Sequence, residues 1–187
     1  MTSTRRDHLL GTAERLFQQN GYRATGIDRI LAESGVAKMT LYKHFPSKDD
    51  LVLAVLRGRC GRWRNWMEKA VARRATTPRD KLLAVFDVFE EWFATPDFAG
   101  CMFLKASSEY SLLDDPVHRA AAEYHRDILA YLRQLAAEAG ARRPAQLARQ
   151  LMLLLIGATA ITQVNGHVGA GQQAGEAAQV LLSQAFG

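Results

Sequence analysis

An all-α fold is what this sequence predicts, and three observations predict it. Apolar residues recur at i, i+3 and i+4 along most of the chain, the spacing that gathers them on one side of a helix. No stretch keeps the two-residue alternation of a half-buried strand. Asn20-Gly21, Ser34-Gly35, Thr77-Pro78 and Asp115-Pro116 punctuate the chain with helix stop and start signals. With 187 residues, 48% of them hydrophobic, there is enough apolar material for a real core.

The first helix is expected over Thr4 to Asn20, with Leu9, Leu10, Ala13, Leu16 and Phe17 as its buried face. Tyr22-Arg23-Ala24 links it to a second helix, for which Thr25 is a suitable N-cap. Ile27, Ile30 and Leu31 form that helix's stripe, and Ser34-Gly35 ends it, because glycine accepts the left-handed conformation common after helices. Leu41 and Phe45 anchor a third helix. Its other side carries Lys38, Met39, Thr40, Tyr42, Lys43 and His44. Two short helices joined by a tight turn, the second with hydrogen-bonding and cationic groups outward, suit a DNA major groove. A structural helical hairpin fits this stretch, taken alone, equally well.

Ser47 and Asp50 have the spacing of a capping box, opening a long helix from Lys48 to about Arg74. Lys48 in its first turn opposes the helix macrodipole, and a phosphate just outside the terminus would offset that cost. Lys48 is on that ground a candidate phosphate contact, a solvated surface lysine being the alternative; Thr40 and Tyr42 are further candidates, and Lys38, Lys43 and His44 are candidates for base edges or flanking phosphates. Leu51, Val52, Val55, Leu56, Trp63, Trp66, Met67, Ala70 and Val71 trace the long helix's buried side. Its many arginines read as solvated surface or ion-pair partners. A helix of this length, basic at its start and leading into an acidic body, is suited to transmit movement.

Thr77-Pro78 restarts a helix that is apolar on most sides from Leu82 to Phe93, as a central core helix is. Thr95-Pro96-Asp97 breaks it. A shorter helix is expected from Phe98 to Tyr110, another from Pro116 towards Gly140, and another from Pro144. Gly166 to Gly171 reads as a flexible loop and Ala174 to Phe186 as a last helix. Leu151 to Ile161, the longest apolar run, is too short to span a bilayer and reads as core. Both late helices carry apolar residues on more than one side, which favours a second copy as their cover.

The order Thr25…Ile30…Gly35-Val36-Ala37-Lys38…Thr40-Leu41-Tyr42…Phe45-Pro46-Ser47-Lys48-Asp49-Asp50-Leu51 resembles the N-terminal signature of the tetracycline-repressor (TetR) family, over roughly residues 5–55. Met39 departs from it, where the family very often has a small residue; it would face the groove and alter which bases are read. Ala37 departs too, where serine is common, and a missing N-cap hydroxyl is worth ~0.5–2 kcal/mol.

The resemblance implies that Thr25 also touches a DNA phosphate and that the last two helices build a four-helix dimer interface. It implies a ligand-responsive dimeric regulator, a repressor released by a small molecule. The domains are then 1–47, binding DNA, and 48–187, binding effector and partner subunit. Candidate pocket residues are Trp66, Phe89, Trp92, Phe93, Cys101, Phe103, Tyr110, Tyr124 and His125, whose aromatic character suits an apolar or aromatic effector. Each of them also reads as an ordinary core residue. A glycine-cysteine pair with Glu109 eight residues on resembles a motif of one subgroup of the family.

Charge supports two different jobs. Residues 1–75 hold 15 Lys/Arg and 7 Asp/Glu, net +8, whereas residues 76–187 hold 9 and 12, net −3. A basic membrane-surface helix is disfavoured because the basic residues are spread over several helices with acids between them. Cys60 and Cys101 make no disulfide framework, and the polar N-terminus has no signal-peptide pattern, so a cytoplasmic location is expected.

No catalytic set is visible, so no enzyme and no cofactor are expected. Gly169 to Ala174 fits a dinucleotide pattern by chance, lacking a preceding strand. His118 and His125 lack the spacing of a zinc site. Cys101 reads as core filler, with a redox or electrophile sensor as the alternative. An all-α carrier or enzyme with a merely structural head is the competing function, separable by the salt dependence of duplex binding.

Overall fold

The computed structural model of the chain describes residues 2–96 and 98–186. Among these residues there are nine helices and no strand: α1 (Thr2–Asn20), α2 (Ile27–Ser34), α3 (Lys38–His44), α4 (Lys48–Arg74), α5 (Pro78–Phe93), α6 (Met102–Glu109), α7 (Pro116–Glu138), α8 (Pro144–Asn165) and α9 (Ala170–Phe186). The all-α expectation holds.

Where helix ends depend on neighbouring residues, the expected signals operate. The Asp50 N–H donates to Ser47 Oγ at 3.1 Å while the Ser47 N–H donates to Asp50 Oδ2 at 3.0 Å, closing the box at the start of α4. Thr77 accepts from the Asp80 N–H at 3.1 Å, with Pro78 opening α5. Gly35 follows α2 at φ 64° and donates to the Leu31 carbonyl.

Where ends depend on distant residues, the expectations need correction. α6 begins at Met102, not Phe98, with Cys101 at its N-cap. Gly100 stands at φ 86°, outside any right-handed helix, and a Cβ there would lie 2.5 Å from the Gln163 side chain. α9 begins at Ala170, not Ala174. The Glu90 carboxylate accepts the Gly171 N–H at 2.8 Å, and a Cβ on Gly171 would lie 2.6 Å from the same carboxylate. These glycines serve close packing, and the loop shrinks to 166–169. In the break after α5, the Thr95 hydroxyl donates to the Trp92 carbonyl; Asp97 lies outside the described residues.

Two compact units make up the chain, and the division falls inside α4 and α7. The first runs to Gly61 and includes Cys101–Tyr124. In it α1 packs on α2 and α3, burying Leu9, Leu16, Phe17, Ile30 and Leu41 completely. The second comprises Arg62–Gly100 and the chain from His125 onward, with α5, α8 and α9 packed on one another. This grouping cuts the chain differently from the expected 1–47 and 48–187 division: α4 as far as Gly61, and all of α6, go with the helix-turn-helix.

By length and composition alone α8 is long and apolar enough to cross a bilayer, a test that core helices also pass. Its Leu147, Leu151 and Leu155 are nevertheless buried in the second unit. The opposite side bares Leu153, Ile161 and Val164, the last 81% exposed, and α9 adds Val180.

Candidate nucleic-acid interface

Leu41 and Phe45 fix the rotation of α3. Both are buried, at 0% and 3% exposure, so the residues on the far side must face solvent. Lys38, Met39, Tyr42 and Lys43 do so, Met39 at 85% exposure, with Thr40 and His44 half-buried at the margins. Lys38 Nζ stands 3.9 Å from Asp28 Oδ1, both well exposed, a pairing that solvent screens. Ala37 occupies the N-cap with no side-chain bond, as its departure from the family pattern implies. Six of the eight expected DNA contacts therefore lie on α3, four of them exposed and two half-buried.

Lys48 and Thr25 behave differently. Lys48 Nζ donates to the Arg23 carbonyl at 3.2 Å, and burial lowers its pKa. That bond ties the start of α4 to the α1–α2 link. The expected N-cap role of Thr25 is corrected: Gly26 holds that position, without a side-chain cap. Thr25 is fully buried, and its hydroxyl donates to the Gly21 carbonyl at 2.7 Å, with Leu16 O at 3.3 Å. A phosphate needs a donor, and this proton is already directed inward.

Two residues missed in the sequence, Arg5 and His8, lie beside the turn. With Ser34, Gly35, Val36, Ala37 and Thr40 they line a cleft of about 440 Å³. His8 Nε2 lies 3.1 Å from the Ser34 carbonyl, and the Arg6 guanidinium stands 5.4 Å from the Phe45 ring centre. The early arginines were visible only as part of the basic count, because their position beside the turn depends on how α1 packs.

The candidate pocket residues fall into several groups. In the second unit Trp66, Phe89, Trp92 and Phe93 join Trp63 and Phe98 in one aromatic cluster, Trp63 to Trp92 being 4.4 Å between ring centres. Trp63 is buried and its indole N–H has no partner among the described residues. His125, half-buried, belongs to the same unit. In the first unit Phe103 stacks on Tyr124 at 3.8 Å, and burial raises the pKa of Tyr124 and of Cys101. The Tyr110 hydroxyl donates to Asp49 Oδ1 at 2.8 Å, its pKa raised by burial and by that carboxylate. His118 Nδ1 lies 2.8 Å from the Tyr110 carbonyl. Among the described residues no group of three or more His, Cys, Asp or Glu is placed to hold a metal ion.

The arrangement in the first unit is a helix-turn-helix with an outward cationic side, and comparison with known proteins bears on it directly. Residues 9–55 match the family model described as bacterial regulatory proteins, tetR family, and residues 78–178 match a tetracyclin repressor-like C-terminal domain. A TetR-family transcriptional regulator from Streptomyces coelicolor is similar in structure, with TM-score 0.89 and 31% identity over 99% of this chain and 97% of that one. The HTH-type transcriptional activator FasR of Mycolicibacterium smegmatis is 39% identical over 85 residues, 46% of this chain and 38% of that protein. The HTH-type transcriptional repressor NemR of Escherichia coli is 26% identical over 130 residues, 69% of this chain and 65% of that protein. The chain thus spans less than two thirds of the length of either curated relative.

Proposed function

The chain belongs to the TetR family of bacterial transcriptional regulators, and from that premise we propose that it is a dimeric, ligand-released repressor of a pseudo-palindromic operator. The observation that carries the reading is the outward side of α3, where Lys38, Met39, Thr40, Tyr42, Lys43 and His44 stand over the buried Leu41 and Phe45. Residues 1–47 bind DNA, Lys43 and His44 reaching base edges or flanking phosphates; residues 48–187 take the effector and the second subunit. The effector is an apolar or aromatic molecule, as the aromatic residues of the body favour, and the site of action is the cytoplasm. The two named relatives act in opposite senses, one as activator and one as repressor. Repression follows if two heads occupy successive major-groove turns about 34–36 Å apart and an effector favours another separation. A coupling of ~1–3 kcal/mol would change operator affinity 5–150-fold.

Gel shifts on the DNA flanking the protein's own gene, with and without a panel of aromatic ligands, test this. The Lys43→Gln/His44→Gln double variant should bind at least tenfold more weakly. Its salt slope should fall by about 1 for each lost phosphate contact. A folded, dimeric double variant that binds with undiminished strength overturns the assignment of α3. Wild-type binding insensitive to salt would favour a carrier or enzyme instead.

A further inference from the structure

We propose that Glu109 is a positioning residue for operator binding: its carboxylate grips the link between α1 and α2 and so sets how the DNA-facing helices are held. The proposal rests on the DNA-binding reading above. Glu109 is the last residue of α6 and comes 86 residues after the nearer of the groups it holds. Its Oε1 accepts the Tyr22 N–H at 2.9 Å and its Oε2 the Arg23 N–H at 2.6 Å. Both carboxylate oxygens are thus used on two successive main-chain donors. The chain presents those donors together by leaving α1 through Gly21 at φ 84°, and a Cβ on Gly21 would stand 2.8 Å from Oε1. The conformation therefore calls for glycine, and any larger residue would also push the carboxylate from its place.

The grip is reinforced around it. Arg23 Nε donates to the Glu109 carbonyl at 2.8 Å, and its guanidinium lies 5.4 Å from the Tyr110 ring centre. Earlier in α6, Lys105 Nζ donates to the Gln18 carbonyl at 2.8 Å, and the Tyr22 hydroxyl donates to the Met102 carbonyl at 3.1 Å. Positions 102, 105 and 109 repeat at helical spacing, so one side of α6 is tied to the end of α1 and to the link. Beyond the link, the Thr25 hydroxyl donates back to the Gly21 carbonyl and so closes this segment ahead of α2. Charge-assisted bonds of this kind are roughly twice as strong as neutral ones.

Charge makes the role separable from a general electrostatic one. A carboxylate in a basic DNA-binding head repels phosphates, so neutralising it should tighten DNA binding if charge alone mattered. Positioning predicts the opposite sign. Glu109→Gln leaves one acceptor oxygen and sets an NH₂ group against the other N–H. In gel shifts with the operator at fixed salt, it should weaken binding about tenfold, the size expected when one charge-assisted bond is lost. Glu109→Ala should weaken it further, and Lys105→Met much less. The salt slope should stay at the wild-type value, because no phosphate contact is removed.

Circular dichroism and sizing establish that each variant is folded and paired. Amide exchange provides a second measurement: the Tyr22 and Arg23 N–H groups should exchange faster in folded Glu109→Gln while Leu41 keeps its protection. Equal or tighter operator binding by folded Glu109→Gln overturns the proposal, as does unchanged exchange at Tyr22 and Arg23. A wild type that binds no duplex removes the DNA reading and this inference with it.

Discussion

The Cys101 thiol is buried, and burial pushes its pKa above the ordinary thiol value. Only the thiolate reacts readily, so at neutral pH this sulfur is shielded and protonated together. Cys60, half-buried, offers an internal comparison. Iodoacetamide at pH 8 should label Cys101 in native protein at least tenfold more slowly than in denaturant, and labelling should keep rising with pH beyond about 8.5. Rapid labelling of native protein at pH 7 would instead make Cys101 a sensor. The same scale separates Thr25 from its neighbours. Its identity was legible from the family pattern, but its hydroxyl points to the Gly21 carbonyl just after α1, a direction that depends on the packing of α1.

Helices begin and end for two kinds of reason, and only one is written locally. Ser47-Asp50, Thr77-Pro78 and Ser34-Gly35 act on groups within a few residues, so the starts of α4 and α5 and the end of α2 were readable. The starts of α6 and α9 depend on Gln163 against Gly100 and Glu90 against Gly171, partners far off in the chain, and both expectations missed. The grip of Glu109 was hidden for the same reason; its sequence trace is a glycine before the link and an acid eight residues after Cys101. For the local kind, Ser47→Ala should cost about 0.5–2 kcal/mol in urea unfolding, since it removes a cap from an orphan N–H. An unchanged midpoint would mean that Asp50 holds the end of α4 alone.

At the scale of the molecule, the second unit leaves Leu153, Ile161 and Val164 on α8 and Val180 on α9 open to water, on helices otherwise packed against α5 and each other. Large apolar side chains left in water on two neighbouring helices are what a subunit interface presents before pairing. Leu153→Glu/Val164→Glu should convert a dimer to a monomer in analytical ultracentrifugation and weaken operator binding by an order of magnitude or more, because two linked heads gain from effective concentration. A double variant that still sediments as a dimer would place the interface elsewhere. The aromatic cluster has a consequence of another kind. All three tryptophans of the chain lie in it, the Trp63 ring centre standing 4.8 Å from that of Trp66 and 4.4 Å from that of Trp92. Indole emission excited at long wavelength therefore comes from a single spot, and its colour and intensity form an unlabelled optical gauge of whatever docks or shifts there.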